Sequence, residues 1–360
     1  MLTIEMLPAG HGDCLWIEYG TGSYRRRLLI DGGTKPTYAF LKTRLQALKV
    51  KLKRTPRFEA VIVTHVDADH IEGILELLTD RGLDVEIGDI WFNGWKHLAQ
   101  KDELGPVQGE KLSALIRERN LPWNQAFRGG AVVSTEKGPL PTCTLTGGLN
   151  LTVLSPLPAQ LKKLRGVWKK VLQKAGLDPD VPVSAKKALT RTGPADVLGT
   201  RLPDVKKLAD TPFHADTSVA NGSSIALLLE WDGRRCLLAA DAFADVMMHT
   251  LPRILAKPKS KPLSLDAFKL SHHGSRNNTS VELLRHVACR RFLISTNGDK
   301  YNHPDQETIA QVIVHGGRSV SFHFNYRSAD SLIWNRDGLK NAHRYEASYP
   351  ERDCGAQVQF

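Results

Sequence analysis

The chain has 360 residues, of which 41% are hydrophobic, and its formal net charge at pH 7 is +11. This length predicts one large domain with an insertion, or two domains, around a packed core. No apolar run is long enough to cross a membrane, and the residues after Met1 lack the basic start of a signal peptide. We therefore expect a cytoplasmic protein without a membrane partner, whose positive charge suits nucleic acid or phosphate esters.

The five cysteines are scattered along the chain, and none belongs to a Cys-x-x-Cys pair. Neither a disulfide framework nor a cysteine zinc site is expected from this spacing, and a reducing compartment fits it. The sequence leaves the oligomeric state open.

The first part of the chain alternates short apolar runs with glycine turns. Residues 2–7, 15–19 and 27–30 predict three strands, and residues 38–52 predict a basic amphipathic helix. The β-branched apolar run at 58–63 predicts a buried strand.

Four side chains that can bind a metal directly follow that strand: His65, Asp67, Asp69 and His70. His65 and Asp67 are two residues apart in an extended segment, so their side chains point the same way. The other two lie on the turn into a helix that the apolar spacing predicts from Ile71 onward. Imidazole with carboxylate suits Zn²⁺, Mn²⁺ or Fe²⁺, and ligands of α/β folds bind outside the carboxyl ends of strands. The segment therefore favours a metal site over a polar helix cap.

In the second half, more candidate ligands stand at predicted strand ends. A hairpin predicted at 225–240 ends at Asp241, and a strand at 267–271 ends at His272 and His273. Because adjacent side chains of a strand point to opposite faces, we expect one of the two histidines to reach the site. Another strand at 291–298 is followed by His303. Residues 320–324 and 332–334 predict edge strands, and the sequence after 335 is a polar tail.

The segment at 161–207 is strongly basic, with twelve Lys or Arg against four Asp or Glu. Its first part predicts a basic amphipathic helix that carries Lys169 and Lys170. Two interpretations stay open, namely a solvated insertion and a substrate-facing flap whose lysines contact phosphates.

The pattern His65-x-Asp67-x-Asp69-His70, with Gly73 three residues on, resembles the HxHxDH signature of the metallo-β-lactamase superfamily, with aspartate in place of the second histidine. That replacement and the His-His-Gly-Ser at 272–275 resemble the hydrolase domain of the competence protein ComEC and its stand-alone relatives. The resemblance implies an α/β fold, the four-layer αββα sandwich, over residues 1–335. Within it a basic insertion occupies about 157–213, and 336–360 remain as the polar tail.

The resemblance also implies roles for individual residues. Asp241 matches the aspartate that bridges two metals, and Asp31 matches a strand-end aspartate that orients the site. The third-motif histidine is ambiguous, since His214 stands early and Asn221 is a weak ligand. Asp13 is either a turn residue or part of the site. The expected metal ligands are His65, Asp67, Asp69, His70, Asp241, His272 and His273.

The implied activity is metal-dependent hydrolysis with one or two divalent ions, Zn or Mn. A phosphodiesterase or nuclease acting on DNA or RNA through a metal-activated water is the first interpretation. Hydrolysis of a small molecule, such as a cyclic nucleotide, a lactone or a β-lactam, is the alternative, and a regulatory module with a vestigial site is a third. The expected catalytic residues are Asp69, Asp241, His273 and His303, and the expected substrate contacts are Ser275, Asn221, Lys169 and Lys170.

Overall fold

A computed structural model of the protein describes residues 1–22, 24–98, 107–175, 202–254, 261–352 and 355–360, with the backbone alone over 169–175. The strands are β1 (Leu2–Met6), β2 (Leu15–Tyr19), β3 (Arg26–Ile30), β4 (Arg57–Phe58), β5 (Ala60–Ile62), β6 (Glu86–Ile87), β7 (Ile90–Trp91), β8 (Thr142–Leu145), β9 (Leu149–Ser155), β10 (Ala226–Trp231), β11 (Arg234–Leu238), β12 (Leu263–Leu265), β13 (Ala267–Lys269), β14 (Val287–Cys289), β15 (Arg291–Ile294), β16 (Ser321–Phe324), β17 (Glu346–Ser348) and β18 (Ala356–Gln359). The helices are α1 (Thr37–Leu52), α2 (Ala68–Thr79), α3 (Trp95–Leu98), α4 (Val107–Glu118), α5 (Pro158–Ala175), α6 (Val205–Ala209), α7 (Val219–Gly222), α8 (Ala244–Thr250), α9 (Val281–Arg285), α10 (Gln306–His315), α11 (Ala329–Leu332) and α12 (Asp337–His343).

Two large sheets organise these elements, and the expectation of an α/β fold is confirmed. The first has six strands in the order β18-β1-β2-β3-β5-β7, and the second has eight in the order β17-β16-β15-β13-β11-β10-β9-β8. Strands β3, β5 and β7 pair in parallel, as do β11, β13, β15, β16 and β17. Parallel strands are buried on both faces, which explains the continuous apolar run of β5.

Three apolar cores hold the layers together. One joins the six-stranded sheet to α1, α2, α4 and α5. A second contains side chains from both sheets, including Ile17 of β2 and Leu227 of β10, so the two sheets pack face to face. The third joins the eight-stranded sheet to α6, α8, α9 and α10. The predicted helices and strands thus bury their apolar faces against one another.

The parallel strands of both sheets deliver polar residues at their carboxyl ends. Asp31 follows β3, the segment beginning at Val63 follows β5, Asp241 follows β11, and Leu270 follows β13. The buried segment after β5 leads directly into α2, whose first turn carries Asp69 and His70. All candidate metal ligands therefore lie on short segments that continue from buried strands.

Two glycines allow α2 to approach the loop after β3. A Cβ placed on Gly73 would lie 1.9 Å from the carbonyl oxygen of Gly32, so no larger residue fits. The Gly32 amide donates to the His70 carbonyl at 2.7 Å, and the Gly73 amide donates to the Gly33 carbonyl at 3.1 Å. This close contact fixes the position of His70 relative to Asp31.

The expected polar tail is wrong as a description of residues 336–360. Strand β17 joins the eight-stranded sheet, and β18 pairs antiparallel with β1 at the edge of the six-stranded sheet. Only Val358 of β18 is buried. An edge strand with one covered face has few apolar residues, which is why its sequence looked like a solvated tail.

Two further expectations need correction. Residues 332–334 are not an edge strand but end α11 and continue as a 3₁₀ turn, and β16 lies inside the sheet between β15 and β17. The basic amphipathic helix expected at the start of the basic segment is confirmed as α5. Helix α5 buries Trp168 against Trp95, with ring centroids 6.1 Å apart, and α6 packs on α10. Residues 176–201 and the side chains of Lys169 and Lys170 lie outside the described part.

Candidate metal centre

Asp31 anchors one side of the site. It has a left-handed backbone with φ of 59°, and its side chain is buried. The Thr64 amide donates to Oδ1 and the Thr64 hydroxyl donates to Oδ2, each at 2.8 Å. Oδ2 also lies 2.8 Å from Nδ1 of His70, which donates its proton to this carboxylate. This contact fixes the orientation of the His70 ring and favours the tautomer with the proton on Nδ1.

His65 is oriented by the same network. Its Nδ1 lies 3.0 Å from Oγ1 of Thr64. Because the only proton of that hydroxyl goes to Asp31, the hydroxyl oxygen accepts from Nδ1 of His65. The Nε2 atom of His65 therefore faces the site, and it lies 3.7 Å from Oδ2 of Asp67. The Asp67 side chain is 43% exposed and so marks the solvent side of the site.

His272 and His273 both reach the site, contrary to the expectation that only one could. Strand β13 ends at Lys269, and residues 271–274 form a tight turn in which both histidines have left-handed φ values of 47° and 56°. Strand alternation therefore does not apply to them. Nδ1 of His273 donates to the Ser295 carbonyl at 2.9 Å, and Nδ1 of His272 donates to Oδ1 of Asn278 at 2.9 Å. Two such conformations store backbone strain of about 1–3 kcal/mol each, a pattern that clusters at functional sites.

The carboxylate of Asp241 is the common neighbour of the four histidines. Its Oδ2 atom lies close to all four Nε2 atoms, at 3.8 Å from His65, 3.4 Å from His70, 3.8 Å from His272 and 3.7 Å from His273. Burial alone would raise the pKa of Asp241, but the surrounding imidazoles lower it well below its usual range. Burial likewise opposes the charge on His70, yet Asp241 and Asp31 raise the pKa of its imidazole well above the ordinary value.

Several of these atoms are buried without a hydrogen-bond partner among the described residues. They are Nε2 of His65, His70 and His273 and Oδ1 of Asp241. An unpartnered buried polar atom costs about 1–3 kcal/mol, so a cluster of them is expected to bind something. Among the described residues, four ligand triads have their donor atoms within 4.8 Å of one another, and two of them consist of expected ligands alone, namely His65, His70 and Asp241, and Asp69, His70 and His273. Neutral imidazole with carboxylate is a donor set for a first-row divalent metal, so the residues fit such an ion.

A buried lysine contacts an aspartate that lies next to the site. Lys269 is fully buried, and its Nζ donates to Oδ2 of Asp13 and to the Leu270 carbonyl at 2.8 and 3.0 Å. Oδ1 of Asp13 lies 3.4 Å from Nδ1 of His273. Burial would raise the pKa of Asp13, but Lys269 and then His273 lower it instead. Asp13 therefore belongs to the surroundings of the site.

A second network surrounds His272. Asp216 accepts from the side-chain amides of Asn221 and Asn278, at 2.8 and 3.0 Å, and its Oδ2 lies 3.6 Å from Nδ1 of His272. Asn221 is buried, and its amide nitrogen is 3.3 Å from that same Nδ1. His214 is exposed. Of the two third-motif candidates, the structure thus places Asn221 behind His272, which itself faces Asp241.

The remaining predicted residues lie farther out. The His303 ring is 5.3 Å from that of His272, and its Nδ1 is 3.5 Å from Oδ1 of Asp305. Ser275 is buried, and its Oγ accepts from the Asn277 amide at 3.3 Å. Since the next amide, Arg276, donates to Asp305 at 2.8 Å, the polar groups of this turn already serve internal contacts. Lys169 and Lys170 have no described side chains.

Sequence reasoning missed three residues of the site: Asp216, Asn278 and Lys269. Lys269 carried a signal, because a lysine inside the apolar run Phe268-Lys269-Leu270 needs a buried partner. Asp216 and Asn278 gave none, since both are turn-type residues whose contacts are made 62 positions apart.

The Asp31–His70 contact gives a direct test of this arrangement. We expect Asp31→Asn to weaken metal affinity about 10–100-fold. The amide carries no negative charge to make the His70 imidazole a stronger ligand, and it no longer fixes the tautomer of that ring. Competition of the purified variant with a metal-binding dye measures this. The control is Asp84→Asn, at an exposed carboxylate outside the site. Equal affinity in wild type and Asp31→Asn would contradict the orienting role.

Comparisons with known proteins add little beyond this geometry. No family model and no curated protein matches the chain. Among the solved structures that match is one from Parabacteroides distasonis ATCC 8503, provisionally described as a metal-dependent hydrolase. It is 11% identical, the match covers 97% of this chain and 93% of that chain, and the TM-score is 0.37. A likeness of this size assigns neither fold nor activity.

The fold and the site together define the class of protein. It is an α/β protein with a buried histidine and aspartate cluster, compatible with a metal site, at the carboxyl ends of parallel strands. Among the described helices, none combines the length and apolar character needed to cross a bilayer.

Proposed function

We propose that the protein is a metal-dependent hydrolase of the metallo-β-lactamase type, acting on phosphodiester bonds of DNA or RNA. One observation carries this proposal. The Nδ1 atom of each of four histidines lies against an oxygen that can accept its proton, which turns the four Nε2 atoms toward Oδ2 of Asp241. Nε2 atoms that converge in this way on one carboxylate are the arrangement that metal ligation by imidazole requires.

The fold supports the same assignment. Helices cover the outer face of each sheet, and the second core lies between the sheets. We infer from this order the four-layer αββα sandwich that the sequence motifs implied. In that fold the site lies along one edge of both sheets, where β3, β5, β11 and β13 end.

The expected ligands would divide into two groups that share Asp241. His65, Asp67 and His272 would hold one ion, and Asp69, His70 and His273 would hold the other, with Zn or Mn as the ions. A divalent cation bound there would supply Lewis acidity and a nucleophilic water at neutral pH. Asp241 would serve both groups, and Asp69 would accept a proton from the attacking water. His303, whose ring is 5.3 Å from that of His272, would donate a proton to the leaving oxygen.

An anionic substrate is favoured by the charge around the opening of the site. Burial would lower the pKa of Lys300, but contact with Tyr301, together with Asp69 and Asp67, raises it above the ordinary value. A lysine that stays charged next to the ligand carboxylates can bind a phosphoryl oxygen. Tyr301 beside it is half exposed and contacts His303 at 5.9 Å between ring centroids. A phosphodiester fits this combination of cation and ring better than a neutral lactone does.

The test compares substrates on one protein preparation. Protein stripped with EDTA and reloaded with Zn²⁺ or Mn²⁺ is incubated with single-stranded DNA, RNA, bis(p-nitrophenyl) phosphate, a lactone and a β-lactam. We expect the metal-loaded protein to cleave the polymers and the phosphodiester, and the stripped protein to cleave none. Loss of cleavage in Lys300→Met, with metal content unchanged, would support the role of its charge.

Other outcomes decide against the proposal in different ways. Turnover of only the lactone or β-lactam would replace the phosphodiesterase by a small-molecule hydrolase on the same metal centre. Metal binding without turnover of any substrate would reject the hydrolase and leave a binding or regulatory module.

A further inference from the structure

We propose that an arginine-rich cleft at the opposite end of the first sheet binds a single strand of nucleic acid through its phosphates. The cleft has a volume of 540 Å³ and lies at the amino ends of β3 and β4. No residue of the metal centre lines it. We call it the arginine cleft, and its charged lining is Arg25, Arg26, Arg27, Arg54, Arg57, Glu59 and Glu86.

The carboxylates in and behind the cleft orient the guanidinium groups but do not neutralise all of their charge. Glu59, whose side chain is 8% exposed, lies 2.8 Å from Nη1 of Arg26 and 3.8 Å from Nε of Arg57. Glu18 behind the cleft does the same for Arg25 and Arg27, at 3.6 and 2.9 Å. Glu59 and Glu18 thus orient two guanidinium groups each, while Glu86 pairs with Arg57 alone, at 3.5 Å. Because an arginine has five N–H donors in a planar fork, such a pair keeps donors free for another anion.

Charge also remains in excess after these contacts. Counting Glu18, five guanidinium groups face three carboxylates. Arg54 is exposed and makes no ion pair within the described part of the chain. An orienting framework with uncompensated guanidinium charge is suited to phosphate, which accepts bidentate hydrogen bonds from arginine.

An exposed aromatic ring favours a single strand of nucleic acid over free phosphate as the ligand of the cleft. Tyr24 lines the cleft and is 81% exposed. Phosphate-binding cations interleaved with aromatic faces are the chemistry of single-stranded nucleic acid binding, where each base stacks on a ring. The carboxyl-terminal end of α1, whose Leu52 lines the cleft, adds Lys51 and Lys49 in its last turn, the latter 3.5 Å from Asp84. A strand can therefore continue beyond the cleft over further positive charge.

The arginine cleft and the metal centre lie at the two ends of one strand. Arg26 begins β3 and Asp31 follows its end, which at about 3.3 Å per residue separates the two by roughly 16 Å. The cleft is thus a binding site apart from the metal ligands. Binding there does not depend on hydrolysis, so it can be measured in EDTA, and a failure of catalysis leaves this inference standing.

The experiment measures binding of a fluorescent single-stranded oligonucleotide to the whole protein in EDTA, by anisotropy across a range of salt concentrations. The test variant is Arg54→Glu, and the matched control is Arg318→Glu. Arg318 is exposed in the turn between α10 and β16 and makes no ion pair among the described residues. Both changes lower the net charge by the same amount, so a difference between them reports location.

We expect Arg54→Glu to weaken binding at least tenfold and Arg318→Glu less than twofold. The slope of log affinity against log salt should fall by about 0.7 for each phosphate that the test variant no longer neutralises. The double variant Tyr24→Ala/Arg54→Glu should bind more weakly still, since stacking contributes separately. Equal weakening in the two single variants would show that binding depends on the net charge of the protein and not on the arginine cleft, and would overturn the proposal. Competition by inorganic phosphate at the oligonucleotide's own phosphate concentration would overturn the strand as its ligand.

Discussion

Asp241→Asn is expected to abolish hydrolysis and most metal binding. Its Oδ2 atom is the carboxylate oxygen within 3.8 Å of four imidazole nitrogens, and an amide there is a weaker metal ligand and carries no charge. Loss of a ligand shared by both metal groups should remove several kcal/mol of stabilisation, which corresponds to about 10³-fold or more in rate. Elemental analysis after dialysis and initial rates on a phosphodiester measure the two effects.

The matched control for this change is Asp232→Asn. Asp232 is an exposed residue in the turn between β10 and β11, with a left-handed φ of 50° that asparagine tolerates. It precedes the strand whose end carries Asp241, so both variants alter one aspartate flanking β11. The control should keep wild-type metal content and rate. Full metal content and rate in Asp241→Asn would show that Asp241 is not the shared ligand.

Lys269→Met should have the largest effect on stability. Removing the buried ammonium leaves Asp13 as an uncompensated buried charge, since its Oδ2 then loses a 2.8 Å partner. Breaking a buried ion pair from one side costs about 3–5 kcal/mol. Chemical denaturation of the metal-free protein measures the free energy of unfolding directly and separates this effect from metal binding.

Two further variants test whether the buried ion pair explains the loss of stability in Lys269→Met. The double variant Asp13→Asn/Lys269→Met removes both charges and should recover a large part of the lost free energy of unfolding. Lys137→Met, at an exposed lysine, should change stability by about 0.5 kcal/mol or less. If Lys269→Met costs as little as Lys137→Met, then Lys269 and Asp13 do not form a buried pair.

The parts of the site that sequence predicted are those that are local in the chain. His65, Asp67, Asp69 and His70 follow one buried strand, and the periods of strand and helix are enough to place them. Asp31 and Asp241 were predicted on resemblance and strand-end position. Parallel strands bring such ends to one edge, so their meeting required only the α/β class to be right.

What sequence did not predict depends on backbone conformation or on distant pairing. The two left-handed residues His272 and His273 are not glycines, and nothing in their types predicts that turn. Lys269 and Asp13 are 256 positions apart. Likewise, β18 looked like a tail because its partner β1 lies at the other end of the chain. Such features depend on tertiary contacts, and the periodicity of the sequence does not predict these contacts.

The measurement that tests the central claim most directly is elemental analysis of the purified wild-type protein after incubation with Zn²⁺ or Mn²⁺ and removal of free metal. We predict one to two equivalents of metal per chain, together with a raised melting temperature that EDTA reverses. A folded protein that retains less than about a tenth of an equivalent of either ion, with an unchanged melting temperature, would contradict the metal centre itself.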